Sequence, residues 1–295
     1  MVLIAGGTGR LGTRVVELLV DRQMRVRVLT RDRSRARHLP ATIEIVEGDV
    51  RDPRTLAAAF AGVTTVISAI QGFDDSGSSP EATDRDGNRN LIKAAKEAGV
   101  AHFILVSAVN SSPDHPMSLG RAKYGAEMSL VNSGLPWTIV RGTAFMEFWA
   151  KLVGQPLLDT GRTQVFGRGD NPINFVSVDD VAKAVETAVV DRALRGVGID
   201  VGGPENLTMN QVVEIFERVS GKGAKVSHVP LPAMKIMAVL MRRINPALAR
   251  KIQAGIVMDT DAIVAWDPAP NRKLHPWLPQ TPLAEVIQKT QKLPV

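Results

Sequence analysis

The sequence predicts an α/β protein: a doubly wound parallel sheet with a smaller C-terminal lobe. Three observations predict it. Short apolar runs alternate with helical patterns from Val2 to Arg141, the rhythm of repeated strand–helix–strand units. The runs are nearly continuous in Val, Ile and Leu, as strands covered on both faces are. A glycine-rich turn, Gly6-Gly7-Thr8-Gly9-Arg10-Leu11-Gly12, joins the first run to the first helical pattern.

The elements follow in order. Residues 2–5 form a strand, and 9–21 an amphipathic helix with Leu11, Val15, Val16, Leu18 and Leu19 inward. Strands follow at 25–30 and 43–47. A helix then opens at Asp52-Pro53, since proline after an aspartate cap is a start signal. Residues 63–69 make the fourth strand, 81–98 a long helix, 102–107 the fifth strand, 117–132 a helix and 137–141 the sixth strand. Residues 74–80 (Asp-Asp-Ser-Gly-Ser-Ser-Pro) read as a flexible loop, at the sheet end where such folds bind ligands. After residue 143 the rhythm loosens. Helices are expected at 145–153, 178–190, 208–220, 231–244, from 246 and at 282–291. Short strands are expected at 163–166, 173–176, 198–201 and 225–229. The division expected is 1–143 for the first domain and 144–295 for the substrate lobe, interleaved in one compact unit.

Composition narrows the function. The 295 residues are 44% hydrophobic and 22% charged, an ordinary globular balance. The absence of cysteine excludes thiol catalysis, disulfides and iron–sulfur clusters. Five scattered histidines argue against a metal site. The net charge of +6 comes from 24 Arg and 12 Lys. The single tyrosine and 4% aromatics argue against a base-stacking surface, so no nucleic-acid partner is expected. No targeting segment and no membrane span are read, and a cytoplasmic protein is expected.

The glycine turn is the strongest motif. It follows a strand and opens a helix, the context in which glycines let the backbone approach a pyrophosphate at a helix N-terminus. About 20 residues further on, an acidic side chain would bind the ribose of NAD. Arg31 stands there instead. A guanidinium suits a 2′-phosphate, so the expected cofactor is NADP(H), with Arg10, Arg33 and Arg35 adding to the anion site. Asp32, beside Arg31, weakens that inference, and most arginines between Arg22 and Arg37 read as a solvated face. Asp49, after the third strand, is placed to accept the adenine amino group.

The series of motifs resembles a known family. It comprises Gly6–Gly12, Glu47-Gly48-Asp49-Val50, Ser68-Ala69-Ile70, Ile104-Leu105-Val106-Ser107 and Ala122-Lys123-Tyr124-Gly125-Ala126-Glu127. It continues with Trp137-Thr138-Ile139-Val140-Arg141-Gly142, the run from Phe175 to Ala182, and Gly202-Gly203-Pro204-Glu205-Asn206-Leu207-Thr208. It is similar to the atypical short-chain dehydrogenase/reductases of the NmrA-like group, with a Rossmann-type fold, across about residues 1–220. The resemblance implies cofactor contacts from Gly6, Thr8, Gly9, Arg10, Leu11, Gly12, Arg31, Asp49, Val50, Ala69, Ile70, Gln71, Ser107 and Lys123. Lys123 and Ser107 are the implied catalytic residues. The family's reductases pair a tyrosine with a lysine four residues later. Here Leu119 occupies the tyrosine's place, and Tyr124 lies about 100° around the helix from Lys123.

Other residues have readings of their own. Phe145, Met146, Phe148 and Trp149 are core or pocket wall. Met234, Met237 and Met241 lie on a helix apolar nearly all round. Core packing is its default, with an adaptable pocket as the alternative; its thin polar face disfavours a membrane-surface role. His115 reads as a solvated loop histidine, with proton donation as the alternative. Asp179 and Asp180 suit a helix start, and Thr208 with Gln211 a capping box. The leading expectation is an NADPH-dependent reductase of a small, largely apolar carbonyl, enone, imine or quinone, as monomer or homodimer. The alternative is a non-catalytic NADP(H) sensor that binds a partner protein.

Overall fold

The computed structural model describes residues 1–73 and 78–292. Most of the loop expected at 74–80 therefore lies outside the described residues.

Strand β1 (Val2–Ala5) is wholly buried and runs through the glycine turn into α1 (Arg10–Asp21). Helix α1 buries Leu11, Val15, Val16 and Leu19, spaced as one apolar stripe. Strands β2 (Val26–Thr30), β3 (Glu44–Glu47) and β4 (Thr65–Ser68) follow. The helix expected from Asp52-Pro53 is instead two 3₁₀ turns, Pro53–Thr55 and Ala57–Phe60. Local hydrogen bonds explain the difference. The Thr55 hydroxyl donates to the carbonyls of Asp52 and Asp49, and Asp52 accepts from the Arg54 amide. These contacts compete with an α-helical ladder.

The long helix expected at 81–98 is divided. Glu81–Gly87 is wound as a π-helix, and α2 (Asn88–Glu97) continues it. Then come β5 (His102–Ala108), α3 (Ser118–Val131) and β6 (Trp137–Gly142). In the predicted helix at 145–153, Ala144–Phe145 is a strand, β7, pairing with a later strand at Phe145↔Val176. It is followed by α4 (Met146–Trp149) and a π-wound turn, Ala150–Gly154. Next come α5 (Gln155–Thr160), β8 (Arg162–Phe166), β9 (Ile173–Val176), α6 (Val178–Val190) and β10 (Val197–Val201). The chain ends through β11 (Asn206–Leu207), α7 (Met209–Ser220), β12 (Lys225–Val229), α8 (Leu231–Ile244), α9 (Pro246–Thr260), α10 (Ala269–Leu274) and α11 (Leu283–Lys292).

The chain forms two units, Met1–Arg141 with Val181–Asp200, and Gly142–Asp180 with Val201–Val295. The first unit holds a seven-stranded sheet of order β10-β6-β5-β4-β1-β2-β3. Its strands β3, β2, β1, β4 and β5 pair parallel, in registers such as Ile4↔Val28, Ile4↔Ile67 and Ile67↔Ile104. Their side chains, Leu3, Ile4, Val66, Ile67 and Leu105 among them, are fully buried. This is the Rossmann-type order, with its direction of winding reversing between β1 and β4, where open α/β sheets bind ligands. The second unit carries two small sheets, β11-β9-β7 and β12-β8. They pack with α7 and α11 around Met146, Leu157, Phe175, Val212, Phe216 and Ile287.

Candidate cofactor-binding and active site

The site is built at the carboxyl ends of β1, β4 and β5. Gly6 turns with φ of 86°, and a Cβ there would lie 2.6 Å from the Ala69 carbonyl oxygen. A Cβ on Gly12 would run into the Gly6 carbonyl. Only glycine allows this turn. Helix α1 begins with Gly9 as its cap, without a capping side chain and without an acid in its first turn. Its first intrahelical bond is the Thr13 amide to the Gly9 carbonyl. The amides of Arg10, Leu11 and Gly12 are thus open donors at a positive helix end, suited to a phosphate. Thr8 is half-buried beside them, and Arg10 is exposed.

Beyond β2, Arg31 is exposed and has no hydrogen bond or ion pair among the described residues. Asp32 forms no ion pair with it. The Asp32 carboxylate accepts from the Ser34 amide, capping the 3₁₀ turn Arg33–Ala36, and the Ser34 hydroxyl together with that amide holds its pKa below the usual range. Arg33 is spent on the Ile45 carbonyl, whereas Arg35 is exposed. Asp49 is engaged through both oxygens by Arg51, at 2.6 to 3.0 Å, and this pairing chiefly lowers its pKa, with a smaller contribution from Arg31. An adenine amino group would have to share that carboxylate. Val50 is buried against Gly87, and its carbonyl accepts from Asn90.

Between β4 and β5 lies a buried polar network that the sequence reading missed. The Lys123 ammonium, on α3, donates to the carbonyls of Ile70 and Val106, both at 3.0 Å, and pairs with Asp84 at 2.9 Å. The other Asp84 oxygen accepts from the Gly72 amide at 2.7 Å. Asn88 donates to the Asp84 carbonyl and accepts from the Ser68 hydroxyl, each at 2.6 Å. Asp84, Asn88 and Ser68 are fully buried. A signal for them existed: 84, 88, 91, 92 and 95 lie at helical spacing, so the two polar residues share the inward stripe of Leu91, Ile92 and Ala95.

Ser107 stands one residue beyond the Val106 carbonyl that Lys123 holds. Its hydroxyl is buried and has no partner among the described residues, an arrangement that needs an explanation. Ala69 and Ile70 border the glycine turn, and Gln71 is exposed just beyond. The open α1 amides, the cradle that a Cβ would fill and the orphaned Ser107 hydroxyl all fit a dinucleotide. Tyr124 is half-buried, next to Lys123 in sequence but not among its partners, and Leu119 supplies no proton. His115 is not solvated as expected. It is buried against Gly120, and its Nδ1 accepts from the Met117 amide, which tucks the loop onto the start of α3.

Residues 6–192 match the model of a family described as NAD(P)H-binding. The chain belongs to this NAD(P)H-binding family. The resemblance read from the motif series holds at that level. Its relatives include the NAD(P)H azoreductase of Xenophilus azovorans, 29% identical over 236 residues, covering 80% of this chain and 79% of the relative. Another is the photosystem II assembly factor Ycf39 of Synechocystis sp., 30% identical over 247 residues, 82% of this chain and 74% of the relative. The fold matches that of an NADPH-dependent quinone oxidoreductase from Escherichia coli complexed with NADPH. The TM-score is 0.80 and the identity 23%, over 99% of this chain and 100% of the other.

In this NAD(P)H-binding chain the predicted pocket residues are dispersed within the second unit. Met146 is buried in the main core of that unit. Trp149 packs edge-on to Phe148 and Phe175, with ring centres 5.3 and 6.3 Å apart. Phe145 is half-buried, Phe148 is exposed, and Met234 belongs to a separate cluster with Ala238 and Ile256. Met237 is exposed and Met241 half-buried. A groove of about 650 Å³ lined by Leu207, Gln211, Glu214, Ile215, Arg218 and others contains none of them. The acidic pair at the start of α6 has structural partners. Asp180 accepts from the Thr281 amide and hydroxyl, and burial raises its pKa. Lys289 lies 3.9 Å from Asp179. Glu147 accepts from the Val178 amide and the Ser177 hydroxyl. The Thr208–Gln211 capping box is formed.

Proposed function

We propose that this protein is an NADPH-dependent reductase of a small, largely apolar acceptor such as a carbonyl, enone, imine or quinone. The observation that carries the reading is the end of β5, where the Lys123 ammonium is fixed on the Val106 carbonyl beside the unpartnered Ser107 hydroxyl. The nicotinamide, when bound, supplies a hydride. The chain's own residues bind and orient. The amides of Arg10, Leu11 and Gly12 take the pyrophosphate, and Arg31 takes the 2′-phosphate. Ser107 donates its free hydroxyl toward the nicotinamide end, and Lys123 braces the ribose side of the cleft. Leu119 offers no acid, so the acceptor's proton comes from water. The first unit serves the cofactor, and in the second unit Phe145, Phe148 and Trp149 are members of the predicted pocket set left open to an apolar substrate, whereas Met146 and Met234 are enclosed in separate clusters.

The test is NADPH oxidation against a panel of quinones, enones, imines and azo dyes. Ser107→Ala and Lys123→Met should lower kcat at least about tenfold, while Tyr124→Phe should leave it unchanged. A panel with no turnover, in a protein that binds NADPH tightly, would retire the reductase.

A second reading is a cofactor-sensing partner of other proteins. It is favoured by the engagement of Lys123, whose ammonium already donates to the Ile70 and Val106 carbonyls and pairs with Asp84, and by the similarity to an assembly factor. On that reading NADPH binds without turnover and changes affinity for a protein.

A further inference from the structure

Helix α8 is satisfied on its inner side, where Met234 and Ala238 pack on Ile256 of α9. At about 100° per residue the opposite side carries Ile236, Val239 and Leu240. These are 63%, 66% and 59% exposed, and Ile244 at the end of the helix is 75% exposed. Packing within the lobe gives no reason for this second apolar face, and contiguous exposed apolar surface marks an interaction site. The charged residues of the helix are Lys235, Arg242 and Arg243, all exposed. Lys235 and Arg242 lie along one flank, and Arg243 emerges at the C-terminal end.

The charge pattern reaches beyond the helix. From Arg218 to Met258 there are eight basic residues and no acidic one, whereas the rest of the chain holds 28 basic against 30 acidic residues. The whole positive excess of the protein therefore belongs to this stretch, and α8 presents its apolar face within it.

We propose that α8 docks on an anionic lipid surface. Ile236, Val239, Leu240 and Ile244 enter the boundary of the acyl region, and Lys235, Arg242 and Arg243 extend to the phosphates. An apolar stripe with basic side chains along one flank and at its C-terminal end suits a helix lying in the interfacial plane, and long basic side chains keep their charges at the headgroups while their stems stay apolar. The exposed face holds aliphatic side chains and Met237. A bilayer leaflet also offers negative charge across a whole plane, matching an acid-free stretch better than a single acidic side chain would. No described helix is long and apolar enough to cross a membrane, so the association is one of surface. The thin polar face that the sequence suggests is no obstacle, because the inner stripe is buried in protein and only the outer side meets lipid. The proposal is independent of the reductase reading.

Sedimentation of the full-length protein with vesicles tests it. Binding is expected to phosphatidylcholine vesicles containing phosphatidylglycerol, not to phosphatidylcholine alone, and to fall as salt screens the charges. The Arg242→Glu/Arg243→Glu variant should bind at least about tenfold more weakly. Ile236→Ser/Leu240→Ser should lose binding to a similar degree while keeping its melting temperature and NADPH titration. Absence of binding to mixed vesicles, equal binding to neutral ones, or a charge-reversed variant that binds like the parent would overturn the proposal. So would self-association abolished by Ile236→Ser/Leu240→Ser without vesicle binding, which would assign the face to a second copy of the chain.

Discussion

Arg31 and Asp84 differ in how far the sequence alone could single them out. Arg31 was legible because its place is set by chain distance from the glycine turn, and the end of β2 brings it there whatever the side chains do. In the structure its neighbour Asp32 caps the next turn and forms no ion pair with Arg31. A charge-assisted contact to the 2′-phosphate contributes about 1.5–3 kcal/mol, so NADPH should bind at least tenfold more tightly than NADH. Arg31→Asp should erase that preference, and calorimetric titration of both cofactors checks it. Equal affinities in the parent protein would remove Arg31 from the site.

Asp84 was not legible, because its importance depends on a lysine 39 residues away and on two carbonyls at strand ends. Breaking a buried ion pair leaves an uncompensated charge and costs about 3–5 kcal/mol. Asp84→Asn should therefore be strongly destabilised in urea unfolding. The double variant with Lys123→Met should regain most of that loss, because both charges are then gone. Additive losses in the double variant would show that the pair is not coupled.

Among the elements, strands and glycine turn followed their sequence signals closely, while helix boundaries and winding did not. Strand identity rests on apolar runs that any parallel sheet must bury. The winding of Glu81–Gly87 and the 3₁₀ turns after Asp52 rest on which side chains reach which carbonyls, which a periodicity cannot encode. His102 on β5 illustrates the same coupling. It is buried, and because the Thr138 hydroxyl donates to the Leu194 carbonyl at 2.7 Å, the ring Nε2 must donate to that hydroxyl at 2.9 Å. Burial, with a smaller push from Arg195, lowers its pKa from 6.5 to about 4. The folded state thus disfavours the imidazolium. Its contribution to stability is full above about pH 6.5 and is lost as pH falls toward 4, by roughly 2–3 kcal/mol. Asp180, with a raised pKa, acts in the opposite sense, so the comparison must be between variants. Urea midpoints for His102→Gln should fall less steeply between neutral pH and about 4.5 than those of the parent. Identical slopes would place the acid sensitivity elsewhere.

At the scale of the whole molecule, the chain returns to its first unit after leaving it. Strand β10 joins the sheet beside β6, although more than fifty residues of chain separate them. A fragment of residues 1–143 would leave the buried side chains of β6, Thr138, Ile139 and Val140, beside an unpaired edge. Such edges invite aggregation. The fragment should aggregate or melt well below the full chain in circular dichroism, and a soluble fragment with the parent's melting temperature would contradict this.

The sequence by itself determined the parallel sheet, the glycine turn at its ligand-binding end, the exposed basic residue just beyond β2, and the lysine on the helix after β5. Each is written locally, as an apolar run, a steric demand for glycine or a fixed spacing. Only the tertiary structure decided that Lys123 is held by Asp84, that Ser107 is left without a partner, that His115 is buried, and that Met234 faces inward while Ile236 and Val239 face out. These depend on contacts between segments far apart in the chain. A side chain's chemistry is set by what surrounds it in space, and helical periodicity specifies a stripe without saying which neighbour will cover it.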